Sequence, residues 1–303
     1  MTMYASLPER SDARRVVIDV ESACSVLGGD TQRTAMVVAS PHSGDRYPID
    51  LLAASKLDAA ALRRSEDAHV DVLFGGAVDI GAPLLHAHFP RAYVDVNREA
   101  YELDPLMFDA PLPPYAKTRS PRVAAGLGSI PRVVAAGVEI YDRRLSFAEA
   151  AARLEHCYRP YHTALRRLVK GTRSTFGVCL LVDAHSMPSA GLSCRDDPSF
   201  GQIDFVLGDN HGHAADRIYL DAAKTWLEGR GYAVAVNDPY PGGFVTKTYG
   251  APSDGVHALQ IEVNRALYMD EMTYARVPYF ETLRQDMTDL LGHLAKSIPA
   301  NAA

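Results

Sequence analysis

The chain is poor in cysteine. Its 303 residues include only Cys24, Cys157, Cys179 and Cys194, with no CxxC pair and no framework spacing. That argues against a cysteine zinc ribbon and a disulfide-stapled secreted domain. Cys157 and Cys179 sit in apolar patterns and are expected to be reduced core residues, which points to the cytoplasm. No apolar run approaches the roughly 18–20 residues that cross a bilayer. The polar stretch 1–12 lacks the apolar core of a signal peptide, so a membrane is not an expected partner. Positive charge is not in excess either. The net charge is −6 with both signs interspersed, which argues against a nucleic-acid partner. Four catalytic signatures are also missing: Gly-x-Ser-x-Gly, Gly-x-Gly-x-x-Gly after a strand, the Gly-Lys-Ser/Thr ending of a P-loop, and His-Glu-x-x-His. Serine-elbow, dinucleotide, P-loop and helical zinc-protease chemistries lose support accordingly.

What remains is an ordinary globular composition, 47% hydrophobic and 22% charged. Short apolar runs alternate with helical periods along the chain. Strands are predicted at 35–40, 83–87, 92–96, 178–183, 203–207, 232–236 and 257–263. Helices are predicted at 49–64, 68–79, 146–173, 212–228 and 273–296. The fourth strand follows directly on a helix whose Ser146 and Glu149 have capping-box spacing and whose Pro160 should kink it. This alternation implies an α/β fold with a mostly parallel or mixed sheet covered on both faces. Residues 1–30 look like an irregular extension, and 31–300 like a single domain. Segment 101–135 holds much of the proline and is expected to be a long functional loop.

Two strands end in histidine: Ser-Pro-His42-Ser-Gly44 and Val-Asp183-Ala-His185-Ser186. Ligands of open α/β sheets bind beyond the carboxyl ends of strands, and imidazole is the commonest protein metal ligand. A catalytic zinc centre needs a third ligand. Asp45, Glu66, Asp67 and His69 all qualify on position, and spacing alone does not separate Glu66 from Asp67. Glu262 lies late in the apolar run His257–Val263, where a charge is costly unless paired or functional. There it could serve as a general base. Arg91 and the Asn97-Arg98 pair flank strand 92–96 and suit a substrate carboxylate. The small and hydroxylic segment 242–250, with Thr246 and Tyr249, could be a flexible substrate loop. Each has a structural counterpart reading: a hydrogen-bonded core histidine, a Glu262–Arg265 ion pair, an Asp95–arginine pair.

Taken in order, Ser-Pro-His42-Ser-Gly, Glu-Asp67-Ala-His69, Asp95-Val-Asn97-Arg98, Arg-Pro-Tyr-His162, Asp183-Ala-His185-Ser186, Gly-Gly-Phe-Val-Thr246-Lys-Thr-Tyr249-Gly and Gln-Ile-Glu262 resemble the N-formylglutamate amidohydrolases over about residues 36–290. The resemblance implies a three-layer α/β/α fold with a central mixed sheet, like that of zinc carboxypeptidases. It implies one zinc ion held by His42, Asp67 and His185, with Glu262 as general base. It also implies a carboxylate clamp at Asn97 and Arg98, and hydrolysis of an N-formyl or related N-acyl amino acid in histidine degradation. A peptide-cleaving carboxypeptidase or cell-wall amidase, and a non-enzymatic small-acid binding protein, are the competing functions. The N-terminal extension and the Pro-rich 101–135 segment depart from typical members and bear on specificity.

Overall fold

The computed structural model describes residues 3–6, 17–19, 23–190 and 202–299. Cys194 lies outside them. The chain forms two compact units, one of residues 1–25, 41–68 and 86–163, the other of 26–40, 69–85 and 164–303.

The first unit holds strands β1 (Met3–Ser6), β2 (Val17–Asp19) and β5 (Arg46–Pro48); β3 (Cys24–Leu27) has two residues in each unit, and β4 (Met36–Ser40) belongs to the second. β2, β1 and β5 make an antiparallel sheet, so part of the expected irregular extension is ordered. β6 is Leu84–Ala87, and β7 (Val133–Ala135) pairs with β8 (Val138–Glu139) inside segment 101–135 and just beyond it. The remaining strands are β9 (Cys179–Met187), β10 (Phe205–Gly208), β11 (Val234–Val236) and β12 (Val256–Asn264). With β3, β4 and β6 they form one mixed seven-stranded sheet in the order β11-β10-β12-β9-β4-β6-β3.

The middle of this sheet is parallel: β12 runs with β9, and β9 with β4. All of β4 and β9, and all but the first residue of β12, are buried, as strands covered on both faces must be. That is why they appear in the sequence as continuous apolar runs. β10 pairs antiparallel with β12 and parallel with β11, which makes the sheet mixed. The helices Arg217–Gly229 and Phe280–Ser297 pack on each other. The architecture is the α/β class with a central mixed sheet that the sequence implies.

Several predicted elements differ. Stretch 92–96 is not a strand. Ala92, Val94 and Val96 are buried, but the backbone turns rather than joins a ladder: Tyr93 N–H bonds Pro90 O at 2.9 Å and Asp95 N–H bonds Ser129 O, in a distant loop, at 2.8 Å. Burial, not pairing, made the pattern. The predicted helix 49–64 breaks after Ala54, where Ser55 turns extended and its hydroxyl bonds Ile140 O; Asp58 then caps a new turn at Ala61 N. The helix at 146 begins with the expected capping box on Phe147–Arg153. It then widens into a π-turn, Leu154–Tyr158, before continuing as Arg159–Phe176. The π-turn directly precedes Pro160, whose missing N–H disrupts the regular ladder. The terminal helix starts only at Phe280. Segment 242–250 is not a flexible loop: Phe244–Tyr249 is a helix with Val245, Thr246 and Tyr249 buried.

Candidate metal centre and active site

β4 stops at Ser40 because Pro41 has no N–H to continue the ladder. His42 follows, and its carbonyl accepts Asp67 N–H at 3.0 Å, which holds the two residues side by side. Gly44 allows this bend. A Cβ there would meet Phe89 O at 2.2 Å and His88 C at 2.6 Å. His42 Nδ1 lies 3.3 Å from Asp67 Oδ2. A tetrahedral centre with bonds of about 2.0–2.2 Å has ligand edges of about 3.3 Å. Ligand atoms of His42, Asp67 and His185 all lie within 4.8 Å of one another, and all three residues are buried. This group could hold a metal ion, and two imidazoles plus one carboxylate are a donor set suited to it.

The remaining candidates for the third ligand point elsewhere. Glu66 accepts from the Tyr47 hydroxyl and pairs with Arg63 Nε at 2.9 Å. Burial pushes its carboxyl up to about 7 against the opposing pull of Arg63 and Tyr47. His69 sits at φ 65 and its Nε2 bonds Tyr274 O at 3.0 Å. Asp45 is exposed.

Asp95 has a place that the sequence did not disclose. Its Oδ1 accepts His42 Nε2 at 2.8 Å and Asn97 N–H at 2.8 Å, and its Oδ2 accepts Arg91 Nε at 2.9 Å. Arg98 Nε stands 3.7 Å from that same oxygen. Burial alone would raise this carboxyl, but Arg91, Arg98 and His42 overcome it and hold it well below the usual range. With a carboxylate on Nε2, Nδ1, the atom beside Asp67, is the His42 nitrogen that a metal ion could take.

On β9, Asp183 Oδ2 approaches His185 Nε2 to 3.1 Å, without the alignment of a hydrogen bond. Glu262 on β12 is the register partner of His185, so the two side chains share one face of the sheet. Gln260 Nε2 donates to Glu262 Oε1 at 2.8 Å and orients that carboxylate. Arg265, the ion-pair partner expected of Glu262 in a purely structural role, donates to Ser186 Oγ at 3.2 Å.

The segment carrying Asn97 and Arg98 is braced from the long helix. His162 Nε2 donates to Val96 O at 2.8 Å and Tyr158 Oη to Arg98 O at 2.8 Å, with the two rings 4.3 Å apart. Four residues apart along the helix, Tyr158 and His162 fall on one side, so Tyr158 together with the His162 of Arg-Pro-Tyr-His braces Asp95–Arg98. Nothing in the spacing marks Tyr158 for that task. Arg98 is itself buried, which with Arg91 and Arg122 draws it down to about 10 although Asp95 and Glu102 oppose this. Thr246 is fully buried and its hydroxyl donates to Gly243 O at 3.1 Å. Tyr249 is buried too, which raises its hydroxyl to about 12.

An α/β fold with a buried His-Asp-His group that could hold a metal ion, and a carboxylate in register beside one histidine, supplies groups that a hydrolase can use. The particular family follows from comparison with known proteins. The sequence profile of the N-formylglutamate amidohydrolases matches residues 34–269, and the chain belongs to that family. An N-formylglutamate deformylase of Pseudomonas putida is 30% identical over 279 residues, covering 91% of this chain and 96% of that protein. One from Pseudomonas aeruginosa is 31% identical over 252 residues, covering 81% and 86%. The crystal structure of an N-formylglutamate amidohydrolase from Ralstonia eutropha JMP134 superposes with a TM-score of 0.84 at 36% identity, covering 91% and 98%. A gene product of Agrobacterium tumefaciens, 19% identical with a TM-score of 0.65, covers 91% and 96% and shares the fold. Among the described residues, no helix is long and apolar enough to cross a membrane.

Proposed function

We propose that this chain is a metal-dependent amidohydrolase that cleaves the formamide bond of N-formyl-L-glutamate, or of a closely related N-acyl amino acid, to formate and the free amino acid. The observation that carries the reading is the buried His42, Asp67 and His185 group, with Glu262 beside His185 on the same sheet face. The names of the two Pseudomonas relatives and the Ralstonia structure support the substrate. The reading places the enzyme in the cytoplasm, within histidine degradation, with a small molecule as its partner.

His42 through Nδ1, Asp67 and His185 would hold the ion, and zinc suits these donors. Once bound, it supplies Lewis acidity and lowers the pKa of water to about 7. Glu262 takes the proton of the attacking water and delivers it to the amide nitrogen as the C–N bond breaks. Gln260 keeps that carboxylate aimed. Asp95 keeps His42 in the Nε2–H tautomer. Arg98, positioned through Asn97, Tyr158 and His162, binds a substrate carboxylate, with Arg91 holding Asp95 in place beside it.

Glu262→Gln keeps the shape of the side chain and removes the base. It is expected to retain metal by elemental analysis and to lose about 10²–10⁴ in kcat. Normal turnover by that variant overturns the assignment. A panel of N-formyl and N-acetyl amino acids and peptides, with and without chelator, separates this function from peptide cleavage.

A further inference from the structure

Among the described residues, the Pro-rich segment holds a cation without a counterion. Arg122 lies half-buried in the short helix Pro121–Ala124, and among the described residues its side chain has no hydrogen bond and no ion pair. Its backbone is nevertheless fixed. Ser120 Oγ accepts Val123 N–H at 3.0 Å and donates to Glu102 Oε1 at 2.5 Å. Gly126 at φ 77 ends the turn, and Leu127 N–H closes back on Arg122 O at 2.8 Å, the six-to-one bond of a Schellman motif. The carbonyl of that same Leu127 accepts Arg98 Nε at 3.0 Å. One residue therefore ties the turn carrying Arg122 to the guanidinium of Arg98.

The charges around Arg98 do not balance. Arg91 and Arg122 repel it, whereas Asp95 and Glu102 attract it. Three guanidiniums thus share two carboxylates, and Asp95 is further engaged by His42 and Glu102 by Ser120. Like charges pinned together by a rigid turn are unfavourable until an anion joins them. Arg98 alone does not suffice for two anionic groups. Its Nε is given to Leu127 O and an NH1 hydrogen to Asn97 O at 2.8 Å, which leaves one edge of the guanidinium for a single carboxylate.

We propose that Arg122 binds the second, side-chain carboxylate of the substrate while Arg98 binds the first, so that segment 101–135 makes the enzyme selective for acidic N-formyl amino acids. The proposal rests on the amidohydrolase reading above. It gives the Pro-rich segment 101–135 a function in specificity.

The test uses the metal-loaded enzyme, its Arg122→Gln variant and its Arg122→Lys variant. Each is assayed on N-formyl-L-glutamate and on N-formyl-L-glutamine, the uncharged isostere. Binding of L-glutamate and L-glutamine to the metal-free proteins is measured by calorimetry. Wild type is expected to prefer the glutamate compound. Arg122→Gln should lose about 10–100-fold in kcat/KM on N-formylglutamate, the loss of one charge-assisted contact. Its kcat/KM on N-formylglutamine should stay within about twofold. Arg122→Lys should keep part of the preference, and L-glutamate affinity should fall in the same order as the rates. Equal losses on both substrates, an unmoved preference, or a wild type without preference would overturn the proposal. Should wild type cleave neither compound, the amidohydrolase reading fails instead. The calorimetry then decides the Arg122 proposal: an L-glutamate affinity unaffected by Arg122→Gln refutes it.

Discussion

Replacing Asp95 by asparagine preserves the shape of the side chain and deletes its charge. The structure predicts two separable losses. The first is at His42, whose Nε2 donates to Asp95 at 2.8 Å in a fully buried setting. A hydrogen bond to a charged group contributes about 1.5–3 kcal/mol. That is about 10–100-fold in metal affinity, the range seen when a partner of a ligating histidine is removed. The second loss is at Arg98 and Arg91, which keep their charges while their shared carboxylate disappears. Breaking a buried pair this way costs about 3–5 kcal/mol, so the melting temperature should fall by on the order of 10 °C. The assay is competition for zinc against a chelator of known affinity, at a temperature where circular dichroism shows both proteins folded. Arg98→Gln is the control: it disturbs the same ion cluster but leaves His42 and Asp95 together, so it should lose stability while zinc affinity stays within about threefold. Asp95→Asn protein that is folded and holds zinc as tightly as wild type would refute the reasoning.

Two further outcomes follow from local geometry. Gly44→Ala places a methyl group against Phe89 O and His88 C, both backbone, so neither can swing away. A destabilisation of about 3 kcal/mol is expected, and an unchanged thermal melt would contradict the close approach. Glu149 is held down to about 2, chiefly by the Arg143 guanidinium and then, against burial, by Ser146. Its unfolded value is near 4.5, so its contribution is complete above that pH and fades as the pH falls towards 2. The group is about one-third exposed, which limits the contribution to below about 1 kcal/mol. Glu149→Gln should remove this part of the acid limb of the stability curve, and an unchanged acid limb would count against it.

Legibility in the sequence followed the range of the interaction. β4, β9 and β12 were visible because a strand buried on both faces must be apolar at nearly every position. The capping box at Ser146 was visible because its partners lie three residues apart. Stretch 92–96 misled because burial of alternate residues gives the same pattern whether or not the backbone pairs. The helix Phe244–Tyr249 was missed because flanking glycines and hydroxyl residues resemble a loop, and only burial of Val245, Thr246 and Tyr249 sustains so short a helix. Helix 49–64 divided because the Ser55 hydroxyl found a carbonyl from residue 140.

By itself, the sequence determined the α/β class, the two histidines at their strand ends (His42 just past β4, His185 near the end of β9) and the ordered motifs of the family, because each depends on residues close together along the chain. Spacing left Glu66 and Asp67 equivalent as neighbours. Tertiary structure distinguished them, turning Glu66 onto Tyr47 and Arg63 and setting Asp67 beside His42. It also made Asp95 the partner of His42, turned Tyr158 and His162 into a brace, and, among the described residues, left Arg122 without an ion pair near Arg98. Those assignments depend on contacts between residues tens of positions apart. Such contacts are settled by which buried charges and donors must be satisfied together, a condition that exists only once the chain has folded.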